Sequence, residues 1–159
     1  MVLQRRKLDD ILESLSRPRG SWEIWSSCAK DPFLLPRLIL RTDNIIVDNF
    51  RTQVAHAFGG SISGRYIRRF QFGTSSVAET AADTNITSPV NTSQVTYSYP
   101  TTKSVQFVGT LGATVGNGTA FYEVGAVFVN STLAARKTFP VMTKSSPWVW
   151  TVYWTIVWP

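Results

Sequence analysis

The chain has 159 residues, 43% of them hydrophobic, 13% aromatic and only 16% charged, with a formal net charge of +6. That length suits one domain with a respectable core, and a surface so short of charge points to partial cover by other protein. One cysteine, Cys28, excludes an intramolecular disulfide. The opening residues lack the apolar run of a signal peptide, and no segment is long and apolar enough to span a bilayer. The expectation is a chain made in a cytoplasm, with no membrane partner.

Residues 1–41 differ from the rest. Leu8, Ile11, Leu12 and Leu15 recur at helical spacing and predict a short amphipathic helix that ends at Arg17-Pro18-Arg19-Gly20. Ser21-Trp22-Glu23-Ile24-Trp25 follows, then the run from Asp31 to Leu40 that Pro32 and Pro36 punctuate. So many large apolar groups must be buried, either against their own domain or as a strap on another subunit. The segment 1–41 is therefore expected to be a docking arm, with Trp22, Trp25, Phe33, Leu34 and Leu35 as its anchors. Its removal should leave a folded domain over residues 42–159.

A second helix is signalled by Thr42 or Asp43 as a cap, by Ile46, Phe50, Val54 and Phe58 at every fourth position, and by Gly59-Gly60 as a stop. From residue 62 the period becomes 2. Tyr66, Arg68, Phe70 and Phe72 alternate with Ile67, Arg69 and Gln71, and a Thr/Ser/Ala-rich loop follows from Thr74 to Asn85. Strands are predicted around Val95–Tyr99, Val105–Leu111, Phe121–Val129 and Thr132–Phe139, the last closed by Pro140. The final strand places Trp148, Trp150, Val152, Trp154, Ile156 and Trp158 on one face, and its other face is apolar or neutral too. A strand covered on both sides is central to a core or lies between subunits. The reading preferred from sequence is an oligomer interface at Trp148, Trp150, Trp154 and Trp158. The whole predicts a mainly β fold: an antiparallel β-sandwich, Ig-like or jelly-roll-like, preceded by one helix and the extended arm with its short helix.

No catalytic constellation emerges. One His and one Cys leave little material for a metal site or a Cys–His pair, and His56 has no carboxylate or thiol partner nearby in sequence. Glu123 falls within a strand-forming run, where a buried carboxylate would be a catalytic candidate. The plainer reading is a carboxylate that answers Arg65, Arg68 or Arg69, or that caps a loop. Those three arginines interleave with aromatics as a nucleic-acid stacking platform does, although a half-buried edge strand gives the same alternation. Catalytic residues, metal sites and cofactors are thus expected to be absent, and nucleic acid is a disfavoured partner.

The order of segments carries a resemblance. The predicted helix Asn44 to Phe58 precedes Phe70-Gln71-Phe72-Gly73-Thr74, and a loop follows from Ala81 to Val90. Then come Phe107-Val108-Gly109-Thr110-Leu111-Gly112, Asn117-Gly118-Thr119-Ala120, Glu123 to Phe128, Leu133-Ala134-Ala135-Arg136, Thr143-Lys144, and Trp154-Thr155-Ile156. Over residues 42–158 this resembles a family of small tail-fibre, baseplate and collar-type virion proteins of tailed phages. The resemblance implies a structural role in a virion assembled in the host cytoplasm, usually as a homo-oligomer. Trimers are common among fibre-like members. Partners would be portal or connector, tail or capsid proteins, with no catalytic residues to carry over. The Trp-rich closing strand, the arginine-bearing strand and the stop at Pro159 depart from that pattern, and favour an adaptor, collar or decoration role over receptor binding. Two alternatives remain open: a host-glycan-binding module of a tail fibre, and a nucleic-acid-binding protein.

Overall fold

The computed structural model describes residues 18–61 and 63–159. The expected helix around Leu8–Leu15 lies outside the described residues. Eight strands and one helix follow in chain order: β1 (Arg19–Cys28), β2 (Arg37–Ile46), α1 (Asp48–Phe58), β3 (Ile67–Gly73), β4 (Pro89–Thr101), β5 (Ser104–Leu111), β6 (Ala120–Phe128), β7 (Leu133–Thr143) and β8 (Trp148–Val157). The strands close in the order β1-β2-β7-β6-β3-β4-β5-β8, every neighbouring pair antiparallel.

The closed barrel overturns the expected sandwich. Two strands turn the corners that a sandwich would leave open. β4 pairs with β3 along Pro89–Gln94 and with β5 along Val95–Thr101. β2 runs beside β1 from Arg37 to Asn44, then gives its last two residues, Ile45 and Ile46, to Arg136 and Ala135 of β7. Alternation marks which side chains face inward, and inward faces look alike in a sandwich and a barrel. Only the pairing partners distinguish them.

A second correction concerns the arm. Residues 19–46 supply β1 and β2, two of the eight staves, so the expected division at residue 41 cuts through β2. Trp22 is fully buried because alternation along β1 sends Trp22 and Ile24 into the barrel while Glu23 and Trp25 face out. The helix also begins later than its expected cap: residues 42–46 are strand, Val47 precedes the first turn, and Asp48 sits where a negative charge suits a helix start. β7 passes through Pro140. Between Phe121 and Glu123 the β6–β7 register shifts, and β2 contacts β7 only at Ala135 and Arg136, so the missing Pro140 N–H falls in a bulge with an open outer edge.

The core is aromatic. Trp22, Trp154 and Phe107 occupy one register row across β1, β8 and β5. Trp154 stacks on Trp22 with centroids 5.6 Å apart and on Phe107 at 5.5 Å, while Phe70 meets Trp22 edge-on at 5.0 Å. The Trp154 indole N–H donates to Asn44 Oδ1 at 3.0 Å. Gly20 makes room for this bond, since a Cβ there would lie 2.2 Å from that oxygen. The Trp22 Nε1 donor is buried without a hydrogen-bond partner among the described residues.

Trp150 and Trp154 therefore fill the barrel and are not available to a second subunit; only Trp148 and Trp158 of the expected interface reach the surface. A sandwich picture could not show this, because β8 is flanked by β1 and β5, two strands far from each other in sequence. Trp154→Ala is expected to lower the unfolding free energy by about 3–5 kcal/mol, read as a shifted urea midpoint. Deletion of residues 1–41 is expected to abolish cooperative unfolding and the near-UV circular dichroism of the packed aromatics, because it removes β1 and half of β2.

Candidate functional site: a charged clasp and two unlike barrel ends

Three features stand out from the barrel frame. The first is ionic and lies outside sheet strands β6 and β7, beneath the loop from Thr74 to Ser88. The bulge at Tyr122 turns Glu123 outward, where its side chain is fully buried under that loop. Arg136 Nε donates to Glu123 Oε2 at 2.8 Å, Nη1 to Asp83 Oδ2 at 2.8 Å and Nη2 to the Val77 carbonyl at 2.8 Å. The backbone N–H of Ser88 donates to the other Glu123 oxygen at 3.1 Å. Beside this set, Glu79 accepts from Lys137 Nζ at 2.6 Å, from the Thr138 backbone N–H at 3.2 Å and from the Thr138 hydroxyl.

The carboxylate of Glu123 thus answers Arg136, not Arg65, Arg68 or Arg69 as the sequence suggested, while its loop-capping role holds. Burial pushes the Glu79 carboxyl up, but the bonds from Lys137 and Thr138 outweigh burial and bring it down from 4.5 to about 2. Asp83 behaves alike: burial raises it, and Thr80 and Arg136 together hold it below its ordinary value. Every arm of the Arg136 fork is occupied, so the set acts as a clasp. It pins the loop that also anchors α1, through the Asp48 N–H to the Ala81 carbonyl at 2.9 Å. Gly73 and Gly125 leave the necessary space, since a Cβ at either would collide with Glu123 or Ile86.

The second feature is the barrel mouth beneath α1, a groove of about 700 Å³. Phe50 of the helix stacks on Phe128 and meets Trp154 edge-on, closing the floor. The aromatic row continues outward from Phe107 to Tyr97 and Tyr99. Tyr66, Tyr97 and Tyr99 are 60%, 63% and 72% exposed, and Phe58 and Trp158 also line the groove in solvent. Its charged lining residues are Arg65 and Lys103, with no acid among the described lining residues. Among the described residues Arg65 bonds only neutral groups, Gln53 Oε1 and the Ser61 carbonyl and hydroxyl.

The third feature is the opposite end, where the β1–β2 loop carries Phe33, Leu34 and Leu35. Phe33 is 93% and Leu35 85% exposed. Asp31 shapes the loop: its side chain accepts the Phe33 N–H at 3.0 Å and its carbonyl the Leu34 N–H at 3.3 Å. Leu34 and Leu35 border a hollow of about 660 Å³ with Ile39, Met142, Trp148 and Trp150.

Of the expected docking anchors, Phe33, Leu34 and Leu35 are together at the surface, Trp25 is half-buried on the outer sheet face with its indole N–H on Glu23, and Trp22 is in the core. The three arginines do not share a groove. Arg65 turns into the mouth, Arg68 sits at a β3 bulge and Arg69 donates to Ser131 on the outer face. His56 is exposed on α1. Among the described residues, no three His, Cys, Asp or Glu side chains gather as a metal site. The mouth and the clasp both escaped sequence reasoning; a Tyr-x-Tyr pair at the end of β4 and four acids or bases at 79, 83, 136 and 137 were their only signals. Compared with protein-family models, curated proteins and solved structures, the chain matches none.

The clasp makes stability pH-dependent. Because the folded-state carboxyls of Glu79 and Asp83 lie below their ordinary values, their contribution is present above about pH 4.5 and lost as the pH falls toward 2. The Glu79 part is on the order of 3 kcal/mol. Urea midpoints are expected to fall steeply from pH 5 to pH 2.5, and Glu79→Gln should flatten that slope. Arg136→Met strands a buried carboxylate and is expected to cost about 3–5 kcal/mol, with Glu123→Leu added in the same chain restoring part of the loss.

Proposed function

We propose that this protein is a structural subunit of a tailed-phage virion, an adaptor, collar, fibre-base or decoration component that joins its neighbours through the β1–β2 loop end of the barrel. The observation that carries the reading is the loop itself. Phe33, Leu34 and Leu35 stand in solvent on a turn that Asp31 holds in shape, over a hollow floored by Ile39, Met142 and Trp148. A free domain gains nothing from exposing two such side chains almost completely, whereas burying each against a partner is worth about 2–3 kcal/mol before ordering costs. The segment order over residues 42–158 supports the virion context, and the scarcity of charge supports a surface partly covered in an assembly.

The partners in this reading are a second copy of the chain and other virion proteins. The docking group narrows from the whole arm to the loop at its centre, because Trp22 belongs to the barrel core and Trp150 and Trp154 to the β8 inner face. Outer-face residues of β8, among them Thr151, Tyr153 and Thr155, are half-exposed and uncharged, and offer a second, flatter contact.

Light scattering at two concentrations is expected to give a defined oligomer for the full chain and a monomer for Phe33→Ser with Leu35→Ser. The double variant should unfold within about 0.5 kcal/mol of the parent, since both side chains are solvent-exposed. A full chain that stays monomeric, or a variant that assembles as the parent does, removes the loop from the argument.

A further inference from the structure

Phe58, Tyr66, Tyr97, Tyr99 and Trp158 are all exposed at the barrel mouth beneath α1, and the chain itself supplies a segment to cover it. β1 enters the barrel at this end: Arg19 pairs with Val157, which also pairs with Ser104, and the Trp158 N–H donates to the Lys103 carbonyl at 2.8 Å. Ser104, Lys103 and Trp158 all line the mouth. β1 therefore begins at the rim of the groove. Leu15 stands four residues before Arg19, and four extended residues reach at most about 14 Å. A segment tethered this closely is within reach of the mouth.

The chemistry matches as well. Leu8, Ile11, Leu12 and Leu15 form one apolar stripe at helical spacing, and Asp9, Asp10 and Glu13 flank it. The mouth offers Phe58, Tyr97, Tyr99 and Trp158 as apolar surface, and Arg65 and Lys103 as cations without a carboxylate partner among the described residues. We infer that residues 8–15 of the same chain dock across the barrel mouth, their leucine and isoleucine side chains on the aromatic rings and their acids beside Arg65 and Lys103. Tethering through so few residues gives the segment a high effective concentration at its own mouth, which favours this occupant over a second copy or a free ligand. The docking uses the barrel end opposite the Phe33 loop and leaves that loop as the free apolar end. It stands apart from the virion reading and does not need it.

The test is a cross-link in the full chain, with Cys28→Ser as background. Leu12→Cys with Tyr99→Cys is expected to oxidise at low protein concentration to an intrachain disulfide, seen as a monomer of faster non-reducing mobility. Leu12→Cys with Tyr153→Cys, on the outer face of β8, is expected to remain reduced. Equal linking at both positions, or a product only of dimer mass, overturns the docking, the latter by assigning the mouth to a second copy. Leu8→Ser with Leu12→Ser should raise the fluorescence of an added hydrophobic dye several-fold, and this rise should be lost when Tyr97→Ser and Tyr99→Ser are added. An unchanged dye signal in the first variant also overturns it.

Discussion

The barrel depends on the meeting of its first and last strands. β1 and β8 pair over ten residues, from Arg19 with Val157 to Cys28 with Trp148, and the Trp22–Trp154 stack lies near the middle of that seam. Without this pairing the remaining strands form an open sheet with two exposed edges, each a template for unwanted association. The stack makes closure worthwhile: two indoles bury their faces against each other, Phe70 and Phe107 complete the contact, and Asn44 takes up the Trp154 N–H. Because the partners are separated by most of the chain, the contact is non-local, and topologies of this kind fold slowly.

The charged clasp performs the second closure. A loop of fifteen residues between β3 and β4 would be a loose flap if it were held only by Thr, Ser and Ala. Instead Arg136 binds Glu123 of the sheet, Asp83 of the loop and the Val77 carbonyl at once, so three separate segments share one guanidinium. Ile86 packs with Val47, Val127 and Leu133 beneath the flap and forms a small apolar layer outside the barrel. Buried ions stabilise only when their partners are complete, and here every nitrogen of the Arg136 fork has one. Lys144 is the contrasting case: it is buried with the neutral Asn117 side chain as partner at 3.0 Å, and desolvation pushes its ammonium below its ordinary value.

The two ends of the barrel carry different surfaces for a physical reason. At the α1 end the helix spans the opening, so aromatic side chains that begin as core, Trp154 and Phe107, continue without interruption into Tyr97 and Tyr99 at the surface. At the other end the β1–β2 connection contains Pro32 and Pro36, which cannot extend either strand, and it projects Phe33 and Leu35 instead of folding them inward. The virion role we propose uses the second surface, and the docking inferred for residues 8–15 uses the first.

The amino-acid sequence alone determined the β-rich class, the one described helix, and the inward faces of β5 and β8, because side-chain alternation is a local property that an unbulged strand carries in its own residues. It also marked Phe33, Leu34 and Leu35 as apolar groups in a segment that cannot be regular structure. Tertiary structure decided the rest. Whether β4 ends in a sandwich edge or turns a barrel corner depends on β3 and β5 both reaching it, and no window of sequence contains all three. Trp22 reads as an arm anchor until β8 arrives beside it; Glu123 reads as a partner for nearby arginines until the β6 bulge turns it toward Arg136. In each case the energy lies in a contact between distant segments, so the residue type announces a need for burial or for a counter-charge, and only the fold supplies the partner.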